Sequence, residues 1–166
     1  MIIKITNLSI GIHAFRFEKS VDELQLNEQF VDNLILDCKV DKSQHQIVIN
    51  CNLTISAHLY CDRCSIDYNK DLISEFILLY LYDNNDFDEE KNNVHILSPN
   101  DDKINLTEDV LDYANLSIPM KKLCSKDCKG LCTRCGINLN ENKCSCKENE
   151  VDPVWRPLLN LKDKLN

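Results

Sequence analysis

Eight of the ten cysteines in this chain fall into four closely spaced pairs. The pairs are Cys61 with Cys64, Cys124 with Cys128, Cys132 with Cys135, and Cys144 with Cys146. A tight turn within such a pair directs both sulfur atoms to one point, so each pair supplies two of the four thiolates that tetrahedral zinc requires. Four pairs therefore predict eight ligands, enough for two complete zinc sites.

The segment GLCTRCGINLNENKCSC, residues 130–146, is typical of a zinc knuckle. Gly136 follows the second thiolate and can adopt a positive φ, which lets neighbouring amides point at sulfur. We therefore place Cys132, Cys135, Cys144 and Cys146 in one site. Cys61/Cys64 then join Cys124/Cys128 in a second site that ties the segment to the N-terminal half. Other groupings, such as Cys128 with the knuckle, stay open, as does the number of ions, one or two.

The CDRC motif at 61–64 has two rival interpretations, a redox pair and two unliganded thiols. A redox C-x2-C normally lies at a helix N-terminus, which lowers the thiolate pKa. Here extended patterns flank it on both sides, which favours metal. His58 is close enough in sequence to act as a ligand, but on a strand we expect it to face solvent. Cys38 and Cys51 lie within strand patterns and are expected in the core.

The first half of the chain is patterned as strands. Apolar and polar residues alternate strictly from Ile47 to Tyr60, which predicts a strand with one buried face. Further extended runs are expected at 1–5, 31–40 and 66–82, and CDRC would lie where two antiparallel strands meet in a hairpin. Helices are predicted at 107–116, with Thr107 as N-cap, and at 152–166.

These patterns predict an α+β fold: an antiparallel sheet or small open barrel with few helices and a C-terminal Cys-rich zinc-binding module. We expect a mainly β core domain with an acidic loop over 1–116. The zinc module and a C-terminal helix packed on the core would occupy 117–166.

The charges of the chain are unevenly distributed. Its formal net charge is -8, and residues 83–112 contain ten Asp or Glu against two Lys. Residues 117–147 carry seven Lys or Arg against two acidic residues. Candidate RNA or partner contacts are Lys121, Lys122, Lys126, Lys129, Arg134, Lys143 and, beyond this segment, Trp155.

The sequence also excludes several function classes. There is no secretory signal pattern and no apolar run long enough to cross a bilayer, so we expect a cytoplasmic protein without membrane contact. No nucleophile motif, phosphate-binding loop or dinucleotide fingerprint occurs. Four-thiolate sites also leave no open position for catalysis. We therefore expect no enzymatic activity and no small-molecule substrate.

The order of these features resembles the bacterial YceD-like proteins, also called large ribosomal RNA subunit accumulation proteins. The resemblance rests on CDRC, on LCSKDCKGLCTRCGINLN at 123–140 and on DPVWRPL near the end. It implies a role in accumulation or processing of large-subunit ribosomal RNA, with ribosomal RNA or a pre-ribosomal particle as partner. The alternative is an adaptor that engages a basic ribosomal protein through its acidic segment.

Overall fold

The computed structural model of the protein describes residues 1–82, 93–98 and 100–146. These residues form seven strands and one helix. In chain order they are β1 (Ile2–Lys4), β2 (Gly11–Ser20), β3 (Phe30–Lys42), β4 (Gln46–Tyr60), β5 (Asp67–Leu81), β6 (Val94–Ile96), β7 (Lys103–Asn105) and α1 (Thr107–Leu116). The helix predicted at 152–166 lies outside the described residues.

Strand β4 is the centre of the main sheet, and its alternating pattern is confirmed. It pairs with β3 on one side and β5 on the other. Its inward-facing side chains are each at most 4% exposed, while Asn50 and Asn52 on the opposite face are exposed. The buried row is Ile47, Ile49, Cys51, Leu53, Ile55, Ala57 and Leu59.

The main sheet is open and has the strand order β2-β3-β4-β5-β6. Pairing is antiparallel from β2 to β5, as predicted, but β6 pairs parallel to β5. A parallel neighbour requires a crossover connection of about a dozen residues or more. Residues 82–93 separate the two strands and supply that length. Strands β1 and β7 form a second, two-stranded sheet.

One face of the main sheet is covered by α1 and by the β1–β7 sheet. Val110 and Ala114 of α1 are fully buried, and the ring of Tyr113 stacks on Phe76 of β5 with centroids 4.0 Å apart. Ile3 of β1 belongs to the same core cluster. Burial on this face explains why the apolar residues of β4 repeat every two positions.

Helix α1 has the predicted bounds, but Thr107 is not its N-cap. Leu106 occupies the N-cap position without a side-chain hydrogen bond. The Thr107 hydroxyl donates to Asn105 Oδ1 at 2.7 Å and accepts from the Met1 amino group at 2.6 Å. Asn105 Oδ1 also accepts the Thr107 backbone N–H at 3.2 Å, which satisfies one of the donors at the helix start.

The predicted position of CDRC is confirmed, because Cys61 follows the last residue of β4 and β5 begins at Asp67. The α+β class with an open, mainly antiparallel sheet is confirmed as well. Among the described residues, no helix is long and apolar enough to cross a membrane.

Leu53 tests whether the central row of β4 holds the sheet together. Its side chain has no exposed area, so Leu53→Ala should lower the free energy of unfolding by about 2–5 kcal/mol. Ile73 on β5 is 66% exposed, and Ile73→Ala should cost less than about 1 kcal/mol. Urea denaturation followed by circular dichroism measures both. Equal losses for the two variants would contradict this assignment of the core.

Candidate metal centres

The first cysteine cluster joins the β4–β5 turn to the segment that follows α1. The sulfur atoms of Cys61, Cys64, Cys124 and Cys128 all lie within 4.8 Å of one another. Cys61 Sγ is 3.8 Å from Cys128 Sγ, and Cys64 Sγ is 3.6 Å from Cys124 Sγ. Three of the four are buried, and Cys124 is exposed. We call this group the first centre.

The second cluster is built within one short segment. The sulfur atoms of Cys132, Cys135, Cys144 and Cys146 also lie within 4.8 Å of one another. Cys144 Sγ is 3.3 Å from Cys132 Sγ and 3.6 Å from Cys135 Sγ. None of these four cysteines is fully buried. This group, the second centre, contains the four residues that the knuckle pattern placed together.

Hydrogen bonds in the turn at CDRC position the sulfur atoms of Cys61 and Cys64. The Ser65 N–H donates to the Cys61 carbonyl at 2.9 Å, and the Cys61 N–H donates to the Ile66 carbonyl at 2.9 Å. Ser65 has a φ of 57°, in the left-handed region, which reverses the chain directly after Cys64. The pair therefore lies on a hairpin turn and not at the N-terminus of a helix.

The turn at Cys132 repeats the same arrangement. The Gly136 N–H donates to the Cys132 carbonyl at 2.9 Å, and the Cys132 N–H donates to the Ile137 carbonyl at 2.8 Å. Gly136 has a φ of 71°. The two six-residue stretches read CDRCSI and CTRCGI, so they share local geometry and four of six residues. From sequence alone this similarity is too short to establish a repeat.

Backbone amides in both turns favour the thiolate form of the first cysteine. Burial opposes ionisation of Cys61, but the backbone N–H groups of Cys124, Arg63 and Cys64 lower its pKa to about 6. At Cys132, the backbone N–H groups of Cys135 and Arg134, together with the thiols of Cys144 and Cys135, lower the pKa to about 6. Because the thiolate is the form that binds metal, these turns are suited to metal ligation.

The donor set defines what each centre can do chemically. Four sulfur donors within ligand distance of a common point match the Cys₄ sites that hold tetrahedral zinc or iron. A closed set of four thiolates leaves no position for a substrate or a water. Each centre could hold one metal ion, and its four sulfur ligands would complete a tetrahedral coordination.

Backbone and side-chain contacts attach the first centre to the rest of the C-terminal segment. Asp62 and Lys122 exchange two bonds: the Asp62 N–H donates to the Lys122 carbonyl at 2.8 Å, and the Lys122 N–H donates to Asp62 Oδ2 at 2.7 Å. Arg63 Nη1 donates to the Cys128 carbonyl at 2.7 Å, and the Leu131 N–H donates to the Arg63 carbonyl at 3.1 Å. Both non-cysteine residues of CDRC therefore have positioning roles that sequence reasoning missed.

Asn140 connects the two centres and was also missed. Its side-chain amide donates to Cys128 Sγ at 3.3 Å, and its Oδ1 accepts the Lys129 N–H at 2.7 Å. The Leu139 N–H donates to the Gly130 carbonyl at 2.9 Å in the same stretch. Asn140 lies inside the loop of the second centre yet bonds to a ligand of the first. No local sequence pattern indicates this contact.

The predicted basic contact residues fall into three groups. Those that are exposed are Lys121, Lys126, Lys129, Arg134 and Lys143. Lys122 is only partly exposed, and its ammonium group donates to Gln29 Oε1 at 3.3 Å, so it is engaged within the fold. Trp155 lies outside the described residues.

The remaining candidate ligands stand apart from both centres. Cys38 and Cys51 are buried and directly opposed across β3 and β4, with sulfur atoms 3.2 Å apart. They provide two donors, and among the described residues no third joins them. His58 is partly exposed and its Nδ1 lies 2.7 Å from Asn69 Oδ1.

Gly130 and Gly136 give a matched test of how the centres are held. Both have positive φ, so an alanine at either position is strained by about 1–2 kcal/mol. A Cβ at Gly130 would lie 3.0 Å from the Arg63 carbonyl oxygen, whereas one at Gly136 would meet nothing within 4 Å. Gly130→Ala should therefore destabilise the protein by at least about 1 kcal/mol more than Gly136→Ala, since the Leu131–Arg63 bond is strained too.

Urea denaturation of the two variants, with bound metal measured in parallel, makes the comparison. Equal destabilisation would show that the close approach of Gly130 to Arg63 contributes nothing beyond backbone strain.

Comparison with known proteins gives two kinds of relative. The large ribosomal RNA subunit accumulation protein YCED homolog 1, chloroplastic, of Arabidopsis thaliana is 36% identical over 63 residues, covering 38% of this chain and 20% of the relative. An uncharacterized protein of Mycobacterium bovis is 23% identical over 128 residues, covering 77% and 61%. The chain thus spans less than two thirds of the length of these relatives, and no solved structure matches it.

A family model described as "Large ribosomal RNA subunit accumulation protein YceD" matches residues 49–162. That range is more than half of the chain. It includes β4 from Ile49 onward, all of β5 and α1, and every cysteine of both centres. The chain therefore belongs to the YceD family.

Proposed function

We propose that this protein is a non-enzymatic zinc-binding factor that supports accumulation or processing of large-subunit ribosomal RNA, and so ribosome assembly. The observation that carries the proposal is the family match over 49–162, which spans both cysteine centres. The family description and the Arabidopsis thaliana relative both name accumulation of the large ribosomal RNA subunit. We place the protein in the cytoplasm.

Zinc is the proposed metal because each centre offers four thiols and no other donor. When bound, zinc supplies a cross-link between segments that have few apolar contacts of their own. The chain's own residues position the ligands. The amides of the two C-x2-C turns orient the thiolates, Arg63 holds the Cys128 carbonyl, and Asn140 bonds to Cys128.

The proposed RNA contact lies on the exposed basic side chains around the centres. Residues 117–147 have five more basic than acidic side chains. Two zinc ions with eight thiolates would add a formal charge of -4 to a chain that already carries -8. Binding to RNA phosphates would therefore be local, and it would weaken as salt rises.

Metal content tests the zinc assignment. Protein purified without chelator should contain two zinc ions per chain by elemental analysis, and Cys61→Ser and Cys132→Ser should each remove one. Cys38→Ala is the matched control, because Cys38 is a buried cysteine outside both centres and its loss should leave two ions. Chelation should also open residues 117–146 to limited proteolysis, because few of their side chains are buried.

One ion lost only with Cys132→Ser would confine metal to the second centre and leave Cys61/Cys64 as free or redox-active thiols. No bound metal, or another metal than zinc, would contradict the assignment.

Association with precursor particles tests the RNA contact. A Lys126→Gln, Lys129→Gln, Lys143→Gln variant should co-sediment less with large-subunit precursors, with a shallower dependence on salt. Each lost phosphate contact should reduce the log–log salt slope by about 0.7 to 1. A Lys4→Gln, Lys70→Gln, Lys103→Gln variant removes the same charge from exposed positions in the strands and should sediment like the wild type.

Equal weakening by both triple variants would show that general charge, and not the basic segment, governs association. Salt-sensitive capture of a basic ribosomal protein with no retention of RNA would favour the adaptor alternative, with residues 83–112 as its acidic segment.

A further inference from the structure

The main sheet has a second face whose side chains take no part in the metal centres. Its outward side chains come from alternate positions of β2, β3, β4 and β5, and the register aligns Ala14, Lys39, Asn50 and Ile77 in one row across the four strands. The described helix and the β1–β7 sheet pack on the opposite face. We call this surface the outer face.

The outer face is concave and forms a trough across four strands. A cavity of about 830 Å³ lies over it, lined by Ile12, Ala14 and Arg16 of β2, Asn50 of β4, and by Glu75 and Ile77 of β5, among others. Cavities of about 300–1,000 Å³ are the size that commonly receives a ligand or a protein side chain. The trough is therefore large enough to receive several side chains of a partner.

Isoleucines are exposed along this trough. Ile12 is 62% exposed, Ile77 54% and Ile73, on the same face, 66%. Isolated exposed apolar residues are ordinary, but here two of the three line one cavity. Covering them would remove apolar area from water, which favours association at this site.

The charge of the outer face determines what kind of partner fits. The acidic side chains on it outnumber the basic ones by six to two. The acidic residues are Glu18, Asp37, Asp41, Asp67, Asp71 and Glu75, and the basic residues are Arg16 and Lys39. All eight are exposed.

Contacts within the fold neutralise only part of this charge. Arg16 pairs with Asp37 at 3.4 Å, and Asp71 accepts the Ser56 hydroxyl at 2.6 Å. Among the described contacts, neither Asp41 nor Glu75 has an ion-pair partner. Glu75 lines the trough beside Ile77, so an unpaired carboxylate lies next to an exposed apolar side chain.

We propose that the outer face docks a basic polypeptide segment in which Lys or Arg alternate with apolar side chains. Such a segment would bury the isoleucines while its cations pair with Glu75 and Asp41. The negative charge of the face repels nucleic-acid phosphates, so the occupant we propose is a protein and not RNA. The inference goes beyond the proposed function and uses a different surface from residues 117–147 and from the acidic segment 83–112.

A synthetic peptide tests the docking site directly. A fluorescein-labelled 14-residue peptide of lysine and leucine, titrated with the full-length, metal-loaded protein, should bind with a rise in fluorescence anisotropy. Glu75→Lys should weaken binding at least about tenfold, and Ile77→Ser at least about threefold. Glu28→Lys changes the net charge by the same amount at an exposed position in the β2–β3 connection, and it should bind within about twofold of the wild type.

Several results would overturn the proposal. Equal weakening by Glu28→Lys would reduce the effect to net charge. The peptide would be assigned to the acidic segment if neutralising Asp86, Asp88, Glu89 and Glu90 abolished binding while Glu75→Lys bound the peptide like the wild type. Self-association in sedimentation equilibrium that Ile77→Ser abolishes would identify the occupant as a second copy. Single-stranded RNA whose binding is lost in Ile77→Ser would make the face an RNA site.

Two measurements keep the outcomes separate. Circular dichroism and urea midpoints of each variant show whether it is folded, and Glu28, Glu75 and Ile77 are all exposed. The Lys126→Gln, Lys129→Gln, Lys143→Gln variant should bind the peptide normally. If the proposed RNA contact is wrong, peptide binding should still be observed, so failure of the RNA proposal and failure of the docking site can be distinguished.

Discussion

The convergence of four thiols at the first centre is the constraint on which the C-terminal part of the described structure depends. Cys64 and Cys124 are 60 residues apart in sequence and Cys61 and Cys128 are 67 apart, yet their sulfur atoms approach within 3.6 and 3.8 Å. Between residues 121 and 146 only Cys128 and Gly130 are buried. Helix α1 already packs on the sheet, so the segment that still has to be fixed begins at residue 117. Because this segment has little apolar burial of its own, a metal cross-link would hold it in place.

The position of the second centre depends on the first, because contacts with the first centre and its turn hold the knuckle in place. Gly130 packs against the Arg63 carbonyl, which anchors the start of the knuckle to the β4–β5 turn. Asn140, within the knuckle loop, donates to Cys128 Sγ of the first centre. The first centre is largely buried on the sheet, while the second is open to solvent and is joined to the first by these contacts and by the bond from the Leu131 N–H to the Arg63 carbonyl. The sheet therefore stabilises the first centre, and the first centre in turn stabilises the second.

Sequence reasoning succeeded where a local pattern determines structure. The strict alternation of β4 reflects burial of one face, and the cysteine spacings reflect turns of a few residues, so Cys61–Cys64 and Cys132–Cys135 could be placed correctly. It missed β2, an edge strand with one half-buried and one exposed face, each of which mixes polar and apolar residues, and β6, whose parallel pairing depends on a long-range crossover. The contacts of Asn140 and Arg63 also join distant segments, and no local pattern indicates them.

Net charge is a poor guide to the partners of this protein, because its charges are separated in space. The outer face of the sheet has four more acidic than basic side chains, while residues 117–147 have five more basic than acidic ones. At physiological ionic strength the Debye length is about 8 Å, so an approaching partner senses mainly the nearest surface. A chain of formal charge -8 can then offer one surface to phosphates and another to a basic polypeptide. Attachment of the knuckle through Gly130 and Asn140 would hold two such partners at a fixed separation.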